Sequence, residues 1–350
     1  MKKYTDAILF FLYIRRFAVL LAAAALLTAF DSPFFIFSAR AEGLKNSFYR
    51  GELSSGEIQI YNRMADKFDS MRGGKYSKKE IFAAAVNINT GKVVFASDRD
   101  FFYGRKISPG SIIKIFDYAL ILKHIKNASS VKFYCKDESV SGGRRYNCSQ
   151  KGGHGEVDLE SAFCNSCNLY FKKFMGLIPR REFAGALKRC GFIDEAEEKA
   201  LLKASSERYL QAAIGDGPVK VTPQKLIELV TFLAAPDSPA SADAGGYRLV
   251  FDGGCAEKIN FAMRGVVTRG TAFNAMAGTD CAAKTGSAGI SARIEKGKKI
   301  IITSGVFLCY TPYINPEYAI MTFCEPGTGG IEAAGLAREL ISAIGEPLIK

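Results

Sequence analysis

The chain has 350 residues, of which 48 % are apolar and 23 % charged. That is enough for one large folded unit or two modest ones, and too apolar for long disorder. Its formal charge of +12 suits an anionic envelope, a membrane face or nucleic acid, but nucleic acid is set aside as a partner: there is no zinc-finger spacing, no aromatic RNA-binding signature and no dense basic helix.

In chain order, basic residues come first. Lys2, Lys3, Arg15 and Arg16 precede Phe17–Phe30, a run of 14 residues without a charge. Asp31 and Pro33 interrupt the run, and Phe34–Phe37 continues it. Ser38-Ala39-Arg40-Ala41 then puts small residues at the two positions a signal peptidase reads. The unbroken run falls short of the roughly 20 apolar residues of a bilayer span. Residues 1–41 are expected to be a cleaved signal peptide, with a retained membrane anchor as the alternative. A buried N-terminal helix would explain neither the Arg pair nor the Ala-x-Ala ending. Either preferred reading places residues 42–350 outside the cytoplasm, in the periplasm or cell envelope. The first 41 residues carry a net +3 and the remainder +9.

Glu57–Phe68 reads as a short amphipathic helix ending near Arg72-Gly73-Gly74. Ile81–Ile88 and Val93–Ser97 are β-rich runs joined by Asn89-Thr90-Gly91-Lys92, a hairpin signal. Ser108-Pro109-Gly110 breaks the chain before an apolar helix at Ser111–Ile125. Its residues Ile112, Ile113, Ile115, Phe116, Leu120 and Ile121 cover more than one face, so it should be buried. Residues 136–155 are Gly-, Ser- and Lys-rich and read as loop. Helical patterns follow at Asp158–Phe163, Leu169–Phe174, Arg181–Lys188, Glu195–Lys203 and Pro223–Leu233. Strand patterns then take over at Cys281–Ser287, Ser291–Ile294, Lys299–Tyr310 and Tyr318–Cys324, before a closing helix at Ile331–Ile344. The order predicts an α+β fold: an antiparallel β-sheet flanked by helices, with an all-helical lobe inserted between the sheet halves.

The nine cysteines leave at least one thiol unpaired within the chain. Cys135 with Cys148, and Cys309 with Cys324, are candidate disulfides. Cys164-Asn165-Ser166-Cys167 has the CxxC form, and a redox or zinc role there with His154 nearby is the lesser reading against the tight spacing rules for such sites. Cys167 is therefore read as buried structure.

A serine hydroxyl is a weak nucleophile until a base takes its proton. The two histidines, His124 and His154, offer few chances for a Ser-His-Asp triad, whereas Ser111-Ile112-Ile113-Lys114 puts a lysine one helical turn after a serine. A serine at a helix start can also offer its backbone N–H to an oxyanion, and burial would lower the lysine pKa and make it a usable base. The motif alone proves little. A second copy stands at Ser129-Ser130-Val131-Lys132, and a capping serine beside a surface lysine is the ordinary explanation for such a pair. The first copy differs in opening a buried helix. Two further elements add weight. Ser166-Cys167-Asn168 is the only SxN, and can relay protons and hold an amide. Lys284-Thr285-Gly286 is the only KTG, and on a strand it can grip a carboxylate while Gly lets a substrate backbone lie alongside. Taken singly, each is better read as a helix N-cap or a strand-end turn; their order and context reverse that.

The trio resembles the active-site signature of penicillin-binding proteins and serine β-lactamases. Ser108-Pro109-Gly110-Ser111-Ile112-Ile113-Lys114-Ile115, His154-Gly155 through Ser166-Cys167-Asn168-Leu169-Tyr170-Phe171, Ile214-Gly215-Asp216-Gly217 with Val221-Thr222-Pro223, and Met263-Arg264-Gly265-Val266-Val267 with Gly270-Thr271-Ala272 are similar to transpeptidase segments. The likeness runs from about Ile81 to the C-terminus. It implies that Ser111 is the acylated nucleophile, Lys114 its base, Ser166 a proton shuttle and Asn168 a substrate-orienting amide. Lys284 would supply positive charge and Thr285 would help bind a substrate carboxylate, beside Gly286. The N–H groups of Ser111 and Ser287 would form the oxyanion hole, with Ser287 standing where the family more often has threonine. No cofactor or metal is implied. Peptidoglycan peptides and β-lactams are the implied partners, alongside cell-wall synthesis proteins.

Class A β-lactamases use a Glu-x-x-Leu-Asn segment absent here, and class D enzymes lean on a tryptophan, of which the chain has none. Both absences favour a slow-deacylating transpeptidase or carboxypeptidase, of which a D,D-transpeptidase is the leading reading. From Glu42 to Ile81 there are about 40 residues, below the usual domain range, so residues 42–350 are expected to be a single stripped-down transpeptidase-like domain. A β-lactamase or D,D-carboxypeptidase is the runner-up. A non-catalytic penicillin-sensing or scaffolding domain is the third reading.

Overall fold

The strand-forming runs near the two ends of the chain pair with each other. The computed structural model describes residues 53–141, 144–241, 244–252, 254–295 and 298–345. The expected signal or anchor at residues 1–41 lies outside the described residues.

Strands β1 (Glu80–Asn87) and β2 (Val93–Ala96) form the expected hairpin. The C-terminal third supplies β7 (Ala282–Glu295), β8 (Lys298–Thr311) and β9 (Tyr318–Glu325). Together they make one sheet in the order β2-β1-β9-β8-β7, antiparallel at every pairing. The β1–β9 pairing, with Ala84 opposite Met321, joins the two halves of the sequence. β9 is buried continuously from Tyr318 to Cys324 and β1 from Phe82 to Val86. Alternation is missing because helices cover both faces. The two runs read separately at Cys281–Ser287 and Ser291–Ile294 are one strand, with an irregularity between Gly289 and Ser291.

Helix α1 (Ser55–Gly73) extends beyond the expected range at both ends. A reciprocal Ser54–Glu57 capping box starts it. It packs against the closing helix α10 (Ala334–Ile344), whose C-terminal carbonyl at Ile344 accepts a hydrogen bond from Arg63 at 2.9 Å.

The chain between β2 and β7 supplies both the inserted lobe and helices that pack on the sheet. Ser111 lies in a 3-10 turn, Gly110–Ile113, that runs into α2 (Lys114–His124). Every residue of α2 from Lys114 to Ile121 is buried, as its all-round apolar pattern predicts. The helices α3 (Leu159–Cys164), α4 (Asn168–Met175), α5 (Arg180–Arg189), α6 (Glu195–Leu202), α7 (Ser206–Ala213), α8 (Pro223–Ala234) and α9 (Cys255–Thr268) follow, and α3, α4, α5 and α9 pack against it. The sequence reading missed α7 and α9. Gly265 and the β-branched Val266-Val267-Thr268 weaken the helix signal of α9. Packing overrides it, because a Cβ at Gly265 would lie 2.4 Å from Cys164 Sγ.

The lobe is not wholly helical. Within the stretch read as loop, β4 (Glu138–Ser141) pairs with β5 (Arg144–Asn147), and at its two ends β3 (Phe133–Cys135) pairs with β6 (Gly155–Val157). Gly- and Ser-rich composition hides such short strands. All nine cysteines are free thiols, so neither candidate disulfide is formed. Cys309 stands opposite Ile320 and Cys324 opposite Gly305, which puts those two thiols out of register.

Candidate active site

The turn that carries Ser111 is wedged against β7 by glycines. Gly110 has φ 54°, a conformation costly for a side chain, and a Cβ on it would lie 2.6 Å from Ser287 N. On the other side, a Cβ at Gly215 would lie 1.8 Å from Gly110 O. Gly110, Ile112 and Ile113 are buried while Ser111 is half-buried. Ser111 occupies neither cap position, since Pro109 caps the 3-10 turn and Ile113 the helix, so it is not the helix-capping serine that is the commonest use of a serine before a helix. At the first turn of a helix its backbone N–H has no intrahelical partner, and it stands beside Ser287.

Lys114 is fully buried one turn later. Its Nζ donates to Ser166 O at 2.8 Å, to Asn168 Oδ1 at 2.6 Å and to Ser166 Oγ at 3.2 Å. Lys284, also fully buried, donates to the same Ser166 Oγ at 3.2 Å and to Thr285 O at 3.0 Å. One serine hydroxyl therefore bridges two lysines from opposite sides of the site. Phe171 lies under Lys114 and Phe163 under Lys284, with centroids 5.4 and 5.3 Å from each Nζ. Burial pulls the Lys114 amine down to about 8, opposed by Cys167 and Asp117. Burial, reinforced by Lys114, holds Lys284 well below the ordinary lysine range. The expectation of a standing cation at Lys284 meets surroundings that work against its charge. Asp117, one turn below Lys114, is fully buried with both carboxyl oxygens unpartnered, and burial raises its carboxyl well above the usual range.

Ser166 is no N-cap either. It adopts φ 54°, Cys167 is the residue that caps α4, and no side-chain cap bond is made. Nor are Thr285 and Gly286 a strand-end turn, since both lie within β7. Thr285 Oγ1 is 2.7 Å from Thr271 Oγ1, a partner the sequence reading did not assign although Gly270-Thr271-Ala272 was among its segments. Ser287 Oγ accepts from Gly329 N–H at 3.0 Å.

Gly286 has a packing role besides the substrate role expected of it. A Cβ there would lie 2.2 Å from Pro109 O, so the bare face of the strand receives the Ser111 turn itself. Gly286→Ala should force the two backbones apart at a cost of about 1–3 kcal/mol, read as a lowered urea midpoint together with slowed acylation.

Other sequence candidates separate from the site. Lys132 of the second SxxK copy pairs with Asp158 at 2.8 Å on the surface. The CxxC also divides. Cys164 Sγ donates to Ala262 O at 3.4 Å, while Cys167 Sγ lies 3.9 Å from Cys148 Sγ. A cavity of 630 Å³ lined by Phe133, Leu169, Lys172, Arg180 and Tyr209 contains none of the converging side chains. The site is defined by chemistry rather than by a hollow. It joins a half-exposed hydroxyl, a buried amine of lowered pKa, a bridging hydroxyl and a pair of backbone donors, which are the parts needed for acyl transfer.

Comparison with known proteins gives the same picture. A family model described as the penicillin binding protein transpeptidase domain matches residues 81–342. The fold is similar to penicillin-binding protein 2 from Helicobacter pylori in complex with MreC: TM-score 0.66, 18 % identity, 80 % of this chain and 62 % of that one. The chain thus spans less than two thirds of that protein. It is also similar to penicillin-binding protein 2 from Pseudomonas aeruginosa in complex with WCK 5153, with TM-score 0.65, 18 % identity, and 81 % of this chain and 74 % of that one covered. The transpeptidase domain of penicillin-binding protein 3 from Burkholderia pseudomallei matches with TM-score 0.62 and 15 % identity, over 85 % of this chain and 97 % of that one. No curated protein matches the sequence.

Proposed function

The chain belongs to the penicillin-binding protein transpeptidase domain family, and from that premise we propose that it is a serine D,D-transpeptidase acting on peptidoglycan stem peptides through an ester on Ser111. The observation that carries this reading is the convergence of Lys114 and Lys284 on the Ser166 hydroxyl, beside a half-buried serine that caps no helix.

In the ammonium form all three N–H groups of Lys114 are donated. Once neutral, its two remaining N–H groups stay on the shorter bonds to Ser166 O and Asn168 Oδ1. The lone pair then faces Ser166 Oγ. Ser111 Oγ attacks the carbonyl carbon of the terminal D-Ala–D-Ala bond as the Lys114 amine turns its lone pair from Ser166 Oγ to the nucleophile, and the Ser111 proton passes to Lys114. The oxyanion is met by the N–H groups of Ser111 and Ser287. Ser166 passes a proton to the leaving D-Ala nitrogen and recovers one from Lys114. An acceptor amine then attacks the ester, gives up a proton to Lys114, and Ser111 Oγ is reprotonated as it leaves. The substrate carboxylate binds at Lys284 and Thr285, and its negative charge draws Lys284 back to the ammonium form.

The pH dependence follows from Lys114. The neutral amine is the active form and lies above the pKa of about 8. The acylation rate should therefore rise with pH, by about fivefold from pH 7 to pH 8, and level off above. A stopped-flow acylation profile that falls over this interval would sink the assignment of Lys114 as base.

The reading also places residues 42–350 in the periplasm or cell envelope, as one domain that follows an export segment at residues 1–41. A cell-wall assembly protein is the partner class proposed, on the precedent of the MreC complex of the Helicobacter pylori protein. The deciding assay supplies a stem pentapeptide ending in D-Ala–D-Ala with an acceptor amine. Release of D-Ala with amine incorporation is expected. Release by hydrolysis alone identifies a carboxypeptidase, rapid loss of a fluorescent penicillin label a β-lactamase, and stable labelling without release a sensor.

A further inference from the structure

Cys135, Cys148, His154 and Cys167 come from separate places in the lobe, yet their three Sγ atoms and one imidazole nitrogen all lie within 4.8 Å of one another. His154 Nδ1 is 3.5 Å from Cys135 Sγ and 3.3 Å from Cys148 Sγ, and Cys148 Sγ is 3.9 Å from Cys167 Sγ. Tetrahedral zinc, with bonds of about 2.3 Å to sulfur and about 2.0 Å to nitrogen, spaces its ligands about 3.8 Å apart for two sulfurs and about 3.5 Å for sulfur and nitrogen. The three separations above lie within about 0.2 Å of those edges. They are far longer than the roughly 2.05 Å of a disulfide.

We propose that these four residues bind one zinc ion, and that the ion anchors the turn carrying Ser166 and Asn168.

The two small sheets of the lobe gain a purpose from this. Cys135 ends β3 opposite Gly155, the first residue of β6, which brings His154 alongside it. Gly153, at φ 80°, lets the chain pass so close that a Cβ would lie 2.2 Å from Cys135 O. Cys148 follows β5, and its N–H is tied to Asp137 O at 2.5 Å. Cys167 closes the set as the cap residue of α4, between the two residues that meet Lys114. Four protein ligands leave no open position for water, so the ion is structural rather than hydrolytic. Cys135 and Cys167 are buried and Cys148 and His154 half-buried, which leaves an entry side. An anchor at Cys167 is useful because Ser166 holds a left-handed backbone, φ 54°, that side chains rarely adopt. Cys164 takes no part, since its thiol is spent on Ala262 O.

The test uses the full chain purified without chelator. Elemental analysis should give about one zinc per chain. Cobalt exchanged into the wild-type protein should show intense thiolate-to-cobalt charge transfer and the d–d bands of a tetrahedral ion. Cys135→Ser and Cys148→Ser should lose the metal, and Cys164→Ser should keep it. Because a ligand variant that fails to fold would also lose metal, the wild-type cobalt spectrum decides the matter. An octahedral spectrum without charge transfer, a Cys148–Cys167 disulfide in a non-reducing peptide map, or equal loss in Cys164→Ser would each overturn the site. The anchoring role rests on the acyl-enzyme reading and is tested separately. Chelation should slow penicillin labelling at unchanged circular dichroism, and zinc should restore it. Unchanged labelling in zinc-free folded protein would refute the anchor while leaving metal content as an independent readout of the site.

Discussion

Ser111→Ala should fold as well as wild type and take up no penicillin. Ser111 stands at neither cap position and its side chain is half-buried. Its loss leaves no buried group unpaired and should change stability by no more than about 0.5 kcal/mol. Its chemical role has no substitute. The one other serine spaced this way from a lysine is Ser129, whose partner Lys132 is exposed and held by Asp158. Acylation should fall by at least about 10⁴-fold, read on a gel with a fluorescent penicillin and checked against the melting temperature. Labelling near the wild-type rate would place the nucleophile elsewhere.

Lys114→Met should be nearly as damaging to chemistry, for a separable reason. Methionine matches the lysine side chain up to Cε and removes the amine, so the nucleophile stays in place without its base. General-base catalysis of this kind is worth about 10²–10⁴-fold. The buried amine meets Ser166 O, Ser166 Oγ and Asn168 Oδ1, and those acceptors would lose their donor. Against that, the variant no longer keeps an ionisable group in a dry site. The two effects oppose each other, so stability should move far less than rate. A loss of labelling of about 10³-fold, together with disappearance of the rise through pH 8, separates a missing base from a damaged fold. A variant that labels slowly but keeps the rise would assign that titration to another group.

Much of this site is legible in the sequence because its parts sit on strongly patterned elements. The apolar run after Pro109-Gly110 reads as a buried helix and is one, and KTG falls on a strand as its surroundings predict. The strand runs at Ile81–Ile88 and Tyr318–Cys324 match β1 and β9 within a residue or two. What linear order hides is which atoms meet. Nothing local to Ser166 announces that its hydroxyl bridges two lysines, since those contacts span 52 and 118 residues. The bare face of Gly286 fits an approaching substrate or an approaching turn equally well on paper. Only the fold puts Pro109 O against it. Spacing joins Cys164 with Cys167, whereas the fold joins Cys167 with Cys135, Cys148 and His154. Ligands delivered by separate strands and a helix cap follow no period that a sequence reading can recognise.

The central claim is an ester on Ser111, and intact-mass analysis with peptide mapping tests it most directly. The chain is mixed with benzylpenicillin, quenched at intervals over hours, weighed and digested. One whole β-lactam per chain is expected, on the peptide that begins at or near Ser111, persisting through the series because the Glu-x-x-Leu-Asn and tryptophan features of fast-deacylating enzymes are absent. An unmodified mass, or an adduct mapped to Ser129 or to Cys148, would contradict the account.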